Sequence, residues 1–385
     1  MSSNIKLILE DLFSLQRLGI KVGLEHTEGL LNEIGNPHLS LNCIHIAGTN
    51  GKGSTCAIIN RILIESGLTV GLYTSPHLVN FNERIQVNRK EISDYDISLF
   101  MKQNSDYIKK INATFFETTT AMAFDYFHKK SVDVAVIETG LGGELDSTNV
   151  ISPIVCGITS ISLDHSDILG DTVEKIAKQK AGIIKRGTPI YIFEQNDNIV
   201  DVIKKKSAKE SAPLTIIKNK DIYISITNNQ GSLFKYKGYN IKLPLIGGHQ
   251  IQNCALAIDI AGFVLKSINE KILNKAISTF SWPGRMEKLF GVNIYYDVAH
   301  NYDGIRALIN AVEKVHAGEK IVGLFCIKAE KNIELICELL RKHFTKVIIC
   351  QDKEKHLLSV KALSKIFKKE KINFLEAGSV KEGIK

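Results

Sequence analysis

Between residues 44 and 66 a short β-rich apolar run, Ile44-His45-Ile46-Ala47, feeds a loop that opens directly into a helical pattern over 53–66. The loop reads Gly48-Thr49-Asn50-Gly51-Lys52-Gly53-Ser54. Its glycines let the backbone approach a ligand and turn its N–H groups inward. The helix start adds partial positive charge, Lys52 adds a full one, and the Ser54 hydroxyl can reach a metal ion. With a strand before it and a helix after it, the loop is a phosphate cradle rather than an ordinary turn. It is tighter than the standard P-loop, whose first glycine would stand where this chain has Ile46.

Such a loop belongs at the carboxyl end of a strand in an open parallel sheet. The chain supplies that sheet. Apolar strand patterns at 69–74, 132–137, 154–161 and 189–193 alternate with helical patterns at 114–129 and 172–184. The alternation predicts an α/β fold, a P-loop-type doubly wound and mainly parallel sheet. Two helices at 7–18 and 27–34 precede it, separated by the glycine-punctuated loop 19–24, and a mixed loop runs through 81–85. Over 213–244 short strands and turn signals predict a small antiparallel patch, before a helix at 251–266. A boundary near Trp282-Pro283-Gly284 divides the chain into a 1–284 domain and a smaller Rossmann-like α/β domain at 285–385. In the second, strands at 292–297, 320–327 and 347–351 alternate with helices at 302–315 and 333–343.

Composition narrows the function. No apolar run approaches the roughly 18 residues that span a bilayer, and the first residues lack a secretory core, so a cytoplasmic protein is expected. The seven cysteines are scattered without C-x-x-C spacing, as buried hydrophobes in a reducing compartment are. The net charge of +8 comes with lysine runs such as Lys204-Lys205-Lys206 that lack interleaved aromatics. Solvated faces explain them better than nucleic acid does, and a small anionic substrate suits a basic protein.

Strand ends collect the remaining candidates. Glu138, closing the strand at 132–137, can hold Mg²⁺ directly or through water, or can simply face solvent. His165 follows the strand at 154–161 as a metal or phosphate ligand or as a loop histidine. Asp297 and His300 lie three apart at a turn suited to a cationic amine beside phosphate, with helix capping as the plain rival.

Read in order, these motifs resemble a family. Gly48-Thr49-Asn50-Gly51-Lys52-Gly53-Ser54 is followed by Thr74-Ser75-Pro76-His77-Leu78 and Glu138-Thr139-Gly140-Leu141-Gly142-Gly143. Leu163-Asp164-His165, Lys180-Ala181-Gly182-Ile183, Gly284-Arg285-Met286-Glu287 and Asp297-Val298-Ala299-His300-Asn301 complete the set. The series resembles folylpolyglutamate synthase and the bifunctional dihydrofolate synthase, within the Mur ligase superfamily. Thr-Ser-Pro-His-Leu beside Asn82-Glu83-Arg84-Ile85 points to the folate branch.

The resemblance implies an ATP-dependent ligase that joins L-glutamate to dihydropteroate or a reduced folate through an acyl phosphate. By resemblance the loop 48–54 and Asn253 contact ATP, with Arg285 on its phosphates. Ser54 and Glu138 would bind a first Mg²⁺, His165 would help place a second, and Lys180 matches a lysine that becomes carbamylated. Lys52, His165 and Lys180 form the expected catalytic set. Asp297 and His300 would bind across the cleft, near ATP and the incoming glutamate, and Ser75, Pro76 and His77 would lie on the folate side. The partners implied are small molecules, without nucleic acid or membrane, and the family is commonly monomeric.

The chain departs from the pattern in places. Glu144 stands where many bacterial relatives carry arginine, and Lys328-Ala329-Glu330-Lys331-Asn332 replaces an Asp-Lys-Asp-like turn. Relatives also continue beyond a point like Lys385 through a further strand and a Gly-Ser loop, so a truncated or naturally short second domain is expected. Two rivals stay open: a catalytically impaired nucleotide- or folate-binding relative, and a Mur-type peptide ligase.

Overall fold

The computed structural model describes residues 3–19, 23–289, 293–328, 333–351 and 357–384. Its main sheet has eight strands: β1 (Cys43–Ala47), β2 (Val70–Tyr73), β3 (Ile85–Val87), β4 (Lys90–Glu91), β5 (Val134–Glu138), β6 (Val155–Ile158), β7 (Ile190–Phe193) and β8 (Leu214–Ile217). Their order is β4-β3-β2-β5-β1-β6-β7-β8. The run from β2 to β8 is parallel, and β3 and β4 close one edge antiparallel.

β1 lies in the middle and is buried at every position. Its residues alternate between faces, which is why it reads as a continuous apolar run. Ile44 and Ile46 join a core built on α3 (Lys52–Glu65), α9 (Gly248–Leu265) and α10 (Glu270–Ser278). Cys43 faces the other way, toward α1 (Ser3–Ser14), α2 (Glu25–Glu33), α4 (Asp94–Lys110) and α5 (Phe115–Lys129). Ala47 packs with α7 (Val173–Ala181) and α8 (Asp197–Lys209). The short α6 (Ser166–Leu169) precedes α7.

The doubly wound reading is right, and several local readings need correction. β8 was expected within the antiparallel patch, but it pairs parallel to β7 from Ile190↔Leu214 to Phe193↔Ile217. The patch itself comprises β9 (Ile222–Asn228), β10 (Gly231–Tyr236) and β11 (Tyr239–Leu243), in the order β11-β10-β9. The helices α4, α8 and α10 were not anticipated. Each has a capping residue whose side chain accepts a backbone N–H: Ser93 from Asp96, Asn196 from Asn198 and Asn269 from Lys271. Those caps were readable signals. Lys204 and Lys205 on α8 are exposed, so that run is a solvated face.

The C-terminal part differs more. The strand expected at 292–297 is β13 (Ile294–Tyr296), and it pairs antiparallel with β12 (Glu287–Leu289) in a two-stranded ribbon. It does not open the C-terminal parallel sheet. That sheet is β14 (Val322–Phe325), β15 (Lys346–Ile349) and β16 (Phe374–Glu376), interleaved with α11 (Tyr302–Val315), α12 (Ile333–His343), α13 (Val360–Lys369) and α14 (Val380–Ile384). β16 and the Gly378-Ser379 turn behind it occupy a stretch the sequence reading left unassigned. Loop residues 20–22, Val292 and the altered turn at 329–332 lie outside the described residues.

Close packing beside the site can be tested at Gly71 on β2. A Cβ there would sit 2.8 Å from the ring of Phe127, which is fully buried on α5. Gly71→Ala is expected to cost about 1–3 kcal/mol, seen as a lower midpoint in chemical denaturation; an unchanged midpoint would contradict this packing.

Candidate active site

The phosphate loop leaves β1 at Gly48 and enters α3 through Gly51, with φ values of 148° and 93°. Both positions need glycine on two counts. The backbone is left-handed, and an added Cβ would strike Thr159 Oγ1 at Gly48 or Asn253 Oδ1 at Gly51. The loop is pinned to the segment after β6, since Thr49 and Asn50 donate their N–H groups to the Ser160 carbonyl at 2.8 and 3.3 Å.

Two lysines converge on one loop carbonyl. Lys52 Nζ donates to Gly48 O at 3.1 Å and to Thr49 O at 3.3 Å, while Lys180 Nζ, from α7, donates to the same Gly48 O at 2.8 Å. Lys180 is 3% exposed. Burial first, and the Lys52 charge second, lower its pKa to about 7. Burial thus favours the neutral amine there.

Glu138 closes β5 beside this pair and is 4% exposed. Its Oε2 accepts the Ser75 N–H at 3.0 Å. Burial raises its pKa, against the pull of Lys52, the Ser75 N–H and Arg285. A buried carboxylate held this way favours a cation. Ser54 Oγ is also buried and, among the described residues, has no hydrogen-bond partner. An orphaned hydroxyl and a hard carboxylate oxygen fit Mg²⁺ chemically. His165 lies on the cleft in a left-handed conformation (φ 48°), its Nε2 4.0 Å from Asp164 Oδ1.

The C-terminal part faces this centre. Both oxygens of Asp297 are held by backbone N–H groups, from Met286 at 2.8 Å and Ala299 at 2.7 Å. Burial raises its pKa, opposed by the Ala299 N–H and by Arg285. His300 Nδ1 meets Val298 O at 2.9 Å, and its Nε2 lies 3.6 Å from Asp164 Oδ2. Capping does occur at this turn, but Asn301 performs it: its side chain accepts the Gly304 N–H at the start of α11.

One cleft of about 1020 Å³ gathers these groups. The loop residues 48–53, Ser75, Pro76, Glu138, His165, Lys180, Asn253, Arg285, Asp297 and His300 all line it. Ser54 sits beneath the loop, fully buried. His77 stands apart from the lining, within an aromatic cluster with Phe13 and Phe81, and its Nδ1 accepts from Arg84 Nε at 2.8 Å. Glu144 is exposed and lies outside the lining. Sequence reasoning gave no role to Asn301, to Trp282, or to His249, whose pKa burial and Arg285 lower to about 4. His249 follows Gly247-Gly248 at the start of α9.

Comparison with known proteins identifies the family. Residues 46–261 match the Mur ligase middle domain, and 284–385 match the Mur ligase glutamate ligase domain. The dihydrofolate synthase/folylpolyglutamate synthase of Bacillus subtilis is 37% identical, over 82% of this chain and 77% of that protein. Folylpolyglutamate synthase of Mycobacterium tuberculosis complexed with ADP superposes with a TM-score of 0.92 at 28% identity, covering 99% of this chain and 90% of that one. An FPGS–AMPPCP–folate complex superposes with a TM-score of 0.81 at 30% identity, covering 98% and 97%. Fold and site define an ATP-dependent ligase. The chain belongs to the Mur ligase family, in its folylpolyglutamate synthase/dihydrofolate synthase branch.

Lys180 makes a pH prediction. Its folded pKa of about 7 lies below the ordinary 10.5, so across that window the unfolded chain holds the extra proton and stability rises with pH. Lys180→Met is expected to remove this part of the rise in the ligand-free protein, read from denaturation midpoints at several pH values; parallel profiles would contradict it.

Proposed function

We propose that the chain joins L-glutamate to dihydropteroate, to tetrahydrofolate (poly)glutamates, or to both, with ATP giving ADP and phosphate. The observation that carries this is the shared cleft. The phosphate loop, Lys52, Lys180 and Glu138 of the 1–284 region face Asp297, His300 and Arg285 of the 285–385 region across one space. The relatives in complex with ADP, AMPPCP and folate support the same reading.

The chemistry follows from the groups present. A carboxylate oxygen of the folate substrate attacks the γ-phosphorus, ADP departs, and an acyl phosphate forms. The glutamate amine then adds to the acyl carbon, and the tetrahedral adduct expels phosphate and loses a proton to leave an amide. Lys52 and the loop N–H groups hold phosphate charge in place as it shifts from oxygen to oxygen, so positioning and electrostatics carry most of the rate. Arg285 adds positive charge from the other side. Asp297 and His300 stand where they can hold the incoming ammonium and take up its proton.

Ser54 and Glu138 would hold Mg²⁺, with His165 near a second ion; magnesium would neutralise phosphate charge there. Neutral Lys180 can add its nitrogen lone pair to CO₂, releasing a proton and becoming a carbamate. The carbamate would be an anionic oxygen ligand beside the Lys52 charge, where a protonated amine would be a second cation. Closure of the two domains over the cleft would shield the acyl phosphate from water. We place the reaction in the cytoplasm, where the seven cysteines, none with C-x-x-C spacing, would stay thiols. A monomer suffices, since one chain supplies both walls of the cleft.

The test is ADP release with ATP, Mg²⁺ and L-glutamate, adding dihydropteroate or tetrahydrofolate separately. Release is expected with at least one acceptor, and Lys52→Ala is expected to slow it by about 100-fold or more. ATP binding without release for either acceptor would overturn the ligase reading of these substrates and favour a binding relative.

A further inference from the structure

Asn301 has no part in the chemistry above, yet its side-chain amide is fully engaged and the residue is 5% exposed. Its Oδ1 accepts the Gly304 N–H at 2.8 Å and Asn50 Nδ2 at 3.1 Å. Its Nδ2 donates to Asn50 Oδ1 at 3.0 Å and to Asp164 Oδ2 at 2.9 Å. An amide offers two donor hydrogens and two acceptor sites, so nothing is left over. Asn50 lies within the phosphate loop, and Asp164 follows β6 beside His165. The reciprocal pair therefore ties the loop directly to the first turn of α11.

We propose that Asn301 is a positioning residue that couples the seating of the C-terminal domain to the shape of the phosphate loop. The loop backbone is fixed to the β6 side through Ser160, which receives both the Thr49 and Asn50 N–H groups and donates its own Oγ to Asn50 O at 3.1 Å. The Asn50 side chain is what reaches the other domain. Paired amide bonds are directional and short, so they form only when α11 stands at one place relative to the loop. His300 reinforces the same placement through Asp164. By linkage, whatever fills the loop favours the seated domain, and the seated domain tightens the loop around its ligand by the same factor. This coupling rests on the reading that nucleotide phosphates occupy the loop.

Capping and bridging can be separated experimentally. Asn301→Ser keeps a good cap for α11 but is too short to reach Asn50. Asn301→Asp keeps the cap and the length but removes the Nδ2 donor and sets a second carboxylate beside Asp164. Affinity for AMPPCP with Mg²⁺, and the radius of gyration with and without it, are measured for the parent, both variants, Asn50→Ala, and the double variant Asn50→Ala/Asn301→Ser. Each single substitution is expected to weaken AMPPCP binding by about 10-fold. The double variant is expected to be no weaker than either single one, because the pair is lost once. AMPPCP should contract the parent more than the variants. Parent-like affinity and contraction in Asn301→Ser, or effects that multiply in the double variant, would overturn the proposal. Should the parent bind no AMPPCP, the nucleotide reading fails by itself. The ligand-free radius then decides: expansion in Asn301→Ser supports the tie, and an unchanged radius overturns it.

Discussion

One carbonyl organises this cleft. Gly48 O accepts from both Lys52 and Lys180, so two amines are brought to a single acceptor in a place where burial penalises charge. Among the described residues neither amine has a carboxylate in hydrogen-bond contact, and burial raises the pKa of Glu138 nearby. The loop therefore sets groups of both signs side by side in a buried place. Anionic phosphate suits Lys52, a cation suits Glu138 and Ser54, and a change of sign at Lys180 would settle the repulsion between the lysines. Each adjustment fits the binding of a metal nucleotide.

The rest of the architecture serves that arrangement. β1 and β5 lie side by side at the middle of the sheet, in register from Cys43↔Ala135 to Ile46↔Glu138. Their carboxyl ends consequently deliver the phosphate loop and Glu138 to the same edge. β6, on the other side of β1, brings Ser160, Asp164 and His165 there as well. Parallel pairing makes this convergence unavoidable, since every crossover returns the chain to the same end of the sheet. The β12–β13 ribbon sits apart from both parallel sheets and presents Asp297 and His300 from the opposite wall.

Much of this was legible in the chain because local chemistry dictated it. The loop 48–54 demanded a strand, a turn and a helix, and buried parallel strands such as β5 show as unbroken apolar runs. Glu138 and Asp297 could be picked out as strand-end carboxylates. What was not legible depended on contacts distant in sequence. The depressed pKa of Lys180 comes from burial against a loop some 130 residues earlier, and among neighbouring lysines nothing local marks it. β8 resembled a strand of the antiparallel patch because its four residues carry no sign of the partner they choose. Asn301 stands in the sequence only as the last residue of the 297–301 motif; its partnership with Asn50 exists only once the two parts of the chain meet.

The central claim is that this cleft activates a carboxylate by phosphorylation before an amine attacks it. The most direct measurement is turnover with the acceptor carboxylate labelled with ¹⁸O, followed by mass analysis of the phosphate released. An acyl phosphate intermediate requires one labelled oxygen to leave with the phosphate, and the account predicts that transfer. Unlabelled phosphate from a turnover that yields the amide would contradict it.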